Sequence, residues 1–384
     1  MGKKRYRIVY CTPSLYMAGG VERVLTLKAN YFTEHLGHDV IIIITDGGGK
    51  PFFFPLSDKV RVINLNIDFD EIWHRSLFTK VVLYFHKQQL FRKRLSTELT
   101  RIRPDVTIST LRREINFITS IKDGSKKIGE IHINKSHFRN FSPDKSSFIK
   151  RFFSIIWIND VVGKIKKLDR FVVLTEYDRI DWKEIPYVDV IPNPLSFYPV
   201  ESSNLHSKRV IAIGRYLDDK GYDLLLRAWS IVEKLCVDCE LDIYGDGDKS
   251  FYVDLTKELH LDRNRCRLHG RVSDVMSEYM RSTLFICSSR YEGFCMGIIE
   301  AMACGIPVVS FDCEWGPRSI IRNGEDGLLV DNGDFDQMAH AIVALLNSPK
   351  RLLEMGRKAK ENVRRFEIRK IAEMWANLFD ELMT

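Results

Sequence analysis

The sequence predicts an α/β protein of two successive halves, each built on a parallel sheet, and three observations predict it. Strand and helix patterns alternate from residue 7 to about residue 175, the signature of βαβ units. Pro186, Pro192, Pro194 and Pro199 then fall within fourteen residues and preclude a continuous helix or central strand there. A second alternating series follows the polar stretch 202–207. With 384 residues, two domains of ordinary size are expected, placed here at 1–190 and 200–368.

The elements follow in order. Residues 7–11 read as a strand, and Gly19-Gly20 opens a helix with Val21, Val24, Leu25, Phe32 and Leu36 on one face. Gly37 closes that helix from a position that favours a left-handed backbone. Residues 39–45 form a buried β-branched strand, with later strands at 60–65, 105–110, 127–131 and 170–175. In the second half the strands are 210–214, 240–244, 265–269, 284–288 and 306–310, with a helix from about residue 293 and a last helix over 369–383.

The stretch 288–309, S-S-R-Y-E-G-F-C-M-G-I-I-E-A-M-A-C-G-I-P-V-V, reads as strand end, polar loop, helix and buried strand. Such a unit brings backbone N–H groups and the positive helix end to the carboxyl edge of a sheet, where phosphates bind. Glu292 at the loop tip and Glu300 in the helix can accept hydrogen bonds from vicinal hydroxyls. A pair of Glu eight apart is weak alone, since about one or two arise by chance in such a chain. Gly214-Arg215 ends another strand and Lys220-Gly221 precedes a helix, so two cations stand ready to neutralise a diphosphate leaving group. Their bland alternative is a pair of solvated loop charges.

The phrase Arg290-Tyr291-Glu292-Gly293-Phe294 leading into Glu300-Ala301-Met302-Ala303-Cys304-Gly305-Ile306-Pro307-Val308-Val309 resembles glycosyltransferase family 4. These are retaining sugar transferases of the GT-B fold, two Rossmann-like domains facing each other across a cleft. Cys295 departs from the pattern, standing where Gly is usual, so a side chain must fit beside the donor loop. Further matches are Gly214-Arg215 with Lys220-Gly221, Gly19-Gly20-Val21-Glu22-Arg23-Val24, Gly245-Asp246-Gly247, and the W-G-P and N-G-x-x-G-L-L-V phrases after Cys313. The match spans nearly the whole chain but is dense only over 214–330.

The resemblance implies an amino-terminal acceptor domain, a carboxyl-terminal donor domain, and a helix 369–384 that crosses back to the first domain. It implies that Arg215, Lys220, Glu292 and His132 carry catalysis. Gly19, Gly20, Gly214, Gly245, Val272, Gly293, Phe294, Cys295, Met296 and Glu300 would contact the donor, with pocket shape around Phe294, Cys295 and Met296 deciding the sugar. His132 is balanced between sugar contact and a structural histidine, and Arg112 and Arg113 are weaker candidates for acceptor phosphates. GT-B enzymes generally use side chains and helix ends in place of a divalent ion, so no metal and no cofactor is expected beyond a nucleotide-sugar substrate, a UDP-sugar. The acceptor would be a glycan or a polyprenyl-diphosphate-linked glycan.

Composition sets the remaining bounds. No apolar run approaches the ~20 residues that span a bilayer, and Lys3, Lys4 and Arg5 precede only a first strand, so a cytoplasmic protein is expected, working at the inner face of the membrane. The eight cysteines are scattered, and Cys236-Val-Asp-Cys239 is expected to end a helix and not to bind zinc. Residues 1–185 hold 33 basic against 20 acidic side chains, a bias that suggests an anionic partner. Basic, aromatic-rich segments at 84–99 and 148–171 fit an anionic leaflet or, equally, a core-packed helix with a solvated face. Rival readings are a GT-B sugar-nucleotide epimerase or phosphorylase, and a nucleic-acid-binding protein, which lacks any recognisable motif.

Overall fold

The computed structural model describes residues 4–72, 76–140 and 158–384. The chain forms two compact units, the first made of residues 1–194 with 368–384 and the second of residues 195–367.

The first unit holds seven parallel strands, β1 (Arg7–Thr12), β2 (Asp39–Ile44), β3 (Arg61–Asn64), β4 (Val106–Ser109), β5 (Lys126–Glu130), β6 (Arg170–Val173) and β7 (Val188–Val190). They lie in the order β3-β2-β1-β4-β5-β6-β7. Both faces are covered, which is why β2 reads as an unbroken apolar run. Successive residues alternate: Ile41 and Ile43 join Val9 and Cys11 on one face, while Val40, Ile42 and Ile44 join Ile8 and Tyr10 on the other. Helix α1 (Gly20–Glu34) and the carboxyl-terminal helix pack on the second face through Phe32, Trp375 and Phe379. A 26-residue helix, α2 (Leu77–Ile102), covers the first face with Phe91, Leu95 and Leu99. Gly37 has φ +72, in the left-handed region that the sequence requires of it.

The second unit repeats the arrangement. Strands β8 (Arg209–Ile213), β9 (Glu240–Tyr244), β10 (Cys266–Leu268), β11 (Leu284–Cys287), β13 (Val308–Phe311) and β15 (Gly327–Val330) lie parallel in the order β10-β9-β8-β11-β13-β15. Two short strands, β12 (Tyr291–Glu292) and β14 (Glu314–Trp315), pair beside them. Helix α3 (Tyr222–Leu235) buries Leu225, Leu226, Trp229 and Val232, positions recurring every three to four residues along one face.

One expectation shifts and three gain detail. The helix placed from residue 293 begins three residues later, as α4 (Met296–Ala303), because Cys295 takes a left-handed conformation at its N-cap. The proline-rich segment contains β7, admissible because it is an edge strand between Pro186 and Pro192. Cys236 caps α3 and is joined to Cys239 by a disulfide. In the basic segment 84–99, Lys87 and Arg94 turn inward to the carbonyls of Ile67 and Leu65, leaving Arg92 and Lys93 in solvent. Of the segment 148–171, Lys150 and Arg151 lie outside the described residues. Within it Lys164 is held by Asp160 and Asn116.

Candidate functional site

In a sheet wound in this order, chain connections leave in opposite directions on either side of one strand pair, opening a crevice at the carboxyl ends. In the second unit that pair is β8 and β11. The loop after β8 carries Gly214, Arg215 and Lys220, and the loop after β11 carries Ser288, Ser289 and Glu292. The two loops interlock. Ser288 Oγ donates to the Lys220 carbonyl at 2.8 Å, and Arg290 grips both carboxylate oxygens of Asp223 at 2.8 and 2.7 Å. A Cβ on Gly221 (φ +59) would lie 2.1 Å from the Ser288 oxygen, and one on Gly245 would lie 2.0 Å from the Gly214 oxygen. Both positions therefore require glycine.

Lys220 Nζ donates to Glu292 Oε1 at 2.6 Å, and Ser289 Oγ donates to the same oxygen at 2.7 Å. Burial opposes the Lys220 ammonium, but the charge and hydrogen bond of Glu292 outweigh it and hold its pKa above the ordinary lysine value. Gly214 borders the Lys220 side chain. Arg215 is exposed nearby, and its charge, together with the closer Arg271, lowers the pKa of Asp246. Helix α4 starts directly after this loop, so its free N–H groups and positive end complete a group of anion-binding elements.

The remaining positions divide. Glu300 is buried in α4, where its Oε1 accepts from Ser196 Oγ at 2.8 Å. Phe294 is expected to shape a donor pocket, and its ring is buried, edge-on to Phe366 at 5.2 Å. Cys295 (φ +51) turns its sulfur toward Cys287, 3.5 Å away, which is how this chain fits a side chain where Gly is usual. Gly293 lies two residues before it, and Met296 is the first residue of α4, half-buried. Val272 follows the edge strand β10 and borders a depression with Asp274, Ser277 and Glu278. The sequence reading missed Ser196, Ser288, Ser289 and Asp223, because isolated Ser and Asp residues acquire meaning only through their partners.

Gly19, Gly20, His132, Arg112 and Arg113 belong to the first unit. Gly19 caps α1 after β1, and the Glu22 carboxylate folds against it. Arg113 lies over the Phe69 ring at 4.3 Å and 3.7 Å from Asp46. His132 follows β5, with Nε2 3.4 Å from Glu130 Oε1 and Nδ1 shielded from solvent. Burial lowers its pKa from 6.5 to about 4 against the pull of Glu130, so the ring is neutral at pH 7 and a poor proton acceptor. A folded-state pKa below the unfolded value means stability complete above pH 6.5 and lost as pH falls toward 4. The expected loss is about 3 kcal/mol. Asp178, raised to about 6 by burial, works in the opposite sense over the same range. Urea melts of wild type and His132→Gln at pH 7 and pH 4.5 check this, the variant losing less stability on acidification.

Two doubly wound parallel sheets, one with a lysine–glutamate pair at its crevice beside a helix start, match the GT-B fold. Residues 199–362 match the glycosyl transferases group 1 family, and the chain carries a domain of that family. It is 27% identical over 379 residues to an uncharacterized glycosyltransferase of Haemophilus influenzae, covering 94% of this chain and 96% of that one. It is 26% identical over 377 residues to a Campylobacter jejuni α-1,4-N-acetyl-D-galactosaminyltransferase named for a GalNAc-GalNAc-diNAcBac-PP-undecaprenol, covering 95% and 96%. Sucrose-phosphate synthase from Thermosynechococcus elongatus superposes with a TM-score of 0.80 over 99% of each chain at 18% identity, a likeness of fold.

Proposed function

We propose that the protein is a metal-independent, retaining family 4 enzyme that moves a hexosyl or N-acetylhexosaminyl group from a UDP-sugar to a sugar hydroxyl. The acceptor is a glycan or a polyprenyl-diphosphate-linked glycan. The observation that carries the reading is the Lys220–Glu292 pair at the β8/β11 crevice beside the start of α4. As the anomeric bond breaks, negative charge gathers on the departing diphosphate. Lys220, Arg215 and the α4 amides are fixed beforehand to receive it, at little reorganisation cost. Glu292 orients the sugar hydroxyls and Glu300 the ribose hydroxyls, while Gly214, Gly245 and Gly293 let backbone approach the nucleotide. The Campylobacter relative's name supports the acceptor class and an N-acetylhexosamine donor. His132 contributes as a neutral hydrogen-bonding group. A thermal-shift screen against UDP-, GDP- and ADP-sugars tests this: UDP-sugars should raise Tm, and UDP should appear only after acceptor is added. UDP release without acceptor would point to an epimerase.

The same reading puts the protein at the inner face of an anionic membrane. Phe78, Val81, Val82 and Phe85 form an exposed apolar stripe along α2, with Phe78 81% and Phe85 64% accessible. Arg92 and Lys93 lie exposed further along the helix. Apolar insertion together with basic side chains, at about 1 kcal/mol each near an anionic surface, suits a peripheral contact. Among the described residues no helix is long and apolar enough to cross a membrane. Sedimentation with phosphatidylglycerol vesicles should fall sharply in Phe78→Ser/Phe85→Ser and with phosphatidylcholine alone.

A further inference from the structure

Cys287 and Cys295 bracket the loop that carries Glu292. Cys287 is the last residue of β11 and Cys295 the N-cap of α4. Their sulfurs lie 3.5 Å apart, and with a Glu292 oxygen they form a group whose ligand atoms all fall within 4.8 Å of one another. A disulfide requires about 2.05 Å between sulfurs. Two thiolates on one tetrahedral zinc ion, at about 2.3 Å each, sit about 3.8 Å apart. The observed spacing is closer to the bite of a metal than to a bond.

We propose that Cys287, Cys295 and Glu292 form an inhibitory site for a thiophilic divalent cation of the zinc type. Binding deprotonates both thiols and releases two protons, with no oxidation. Two thiolates, the Glu292 carboxylate, the ion and the Lys220 ammonium then carry no net charge together, so Lys220 need not leave. Cys287 is buried, while Cys295 is partly buried and the Glu292 side chain keeps 12% of its surface exposed, so access runs past these two. The bound ion takes the carboxylate proposed above to face the sugar and pins both ends of its loop, so metal and donor exclude each other. The site arises because this chain has Cys where the family pattern has Gly; the left-handed backbone there turns the sulfur inward to Cys287. The inhibitory effect rests on the donor-site reading, whereas the binding does not.

The test uses full-length protein in which Cys236→Ser and Cys239→Ser remove the other cysteine pair grouped with an acidic side chain. Reduced protein is titrated with Cd2+, followed by the ultraviolet thiolate-to-metal charge-transfer band, and with Zn2+ by calorimetry. One equivalent should bind, with affinity at least about 100-fold weaker in Cys287→Ser and in Cys295→Gly. Cys295→Gly suits the φ of +51, so it keeps the comparison open if Cys287→Ser fails to fold. Zinc should also abolish the Tm shift given by UDP-sugar, and EDTA should restore it. Unchanged affinity in both variants, no bound metal, or a mass two hydrogens lower from disulfide formation would each overturn the site. Metal binding without any donor effect would keep the site and retire its inhibitory role.

Discussion

Lys220→Met should lower turnover by roughly 10²–10³-fold, the usual effect of removing one preorganised group that stabilises developing negative charge. The ammonium is held 2.6 Å from Glu292, and its raised pKa keeps it charged throughout the physiological range. Met keeps the length of the stem, so the loss isolates the charge. Because Glu292 then lacks its cation, some thermal stability should be lost as well. The second variant, Lys220→Met/Glu292→Gln, removes that penalty. The double variant should regain Tm, while its turnover stays low in either case because Glu292 is itself placed on the donor sugar; the single variant alone reads the catalytic role of the ammonium. Full turnover in a folded Lys220→Met protein would refute the leaving-group role.

Lys28→Ala should cost about 3–5 kcal/mol of stability, a large share of what holds a domain together. Lys28 in α1 and Glu130 at the end of β5 are an ion pair with side chains 1% and 3% exposed. The ammonium also lies 4.6 Å from the Trp375 ring of the carboxyl-terminal helix. Burial lowers the Lys28 pKa against the pull of Glu130. For Glu130, burial acts upward, and the charge and hydrogen bond of Lys28 outweigh it and lower its pKa. Removing the cation strands an ionised carboxylate in the core. Lys28→Met/Glu130→Gln takes out both charges and should recover most of the loss in urea melts. A single variant within about 1 kcal/mol of wild type would show that water reaches Glu130.

Much of this architecture was readable from residue pattern because both sheets are covered on each face. Strands such as Val40–Ile44 then become uniform β-branched runs, and their boundaries fall within a residue or two of expectation. Two edge strands resisted, β7, three residues long among prolines, and β15, whereas the edge strands β3 and β10 were read. Residues 84–99 of helix α2 were legible as a basic helix, but its first turns were not, because they expose Phe78, Val81, Val82 and Phe85 where a buried stripe is expected. At the site, glycines and charges announced themselves through spacing. The direction of Phe294 and Cys295 did not, since it depends on a left-handed residue and on partners, Phe366 and Cys287, that spacing alone does not identify.

The excursion of the chain out of its first unit at residue 194 and back at 368 has a consequence for biosynthesis. The second unit is one uninterrupted segment and can close while still tethered to the ribosome. The first unit waits: Tyr6, Phe32 and Ile42 lack their cover until Trp375 and Phe379 emerge, after the whole second unit. A premature stop between residues 194 and 375 would release a polypeptide with an apolar sheet face open to aggregation and proteolysis, however sound the second unit.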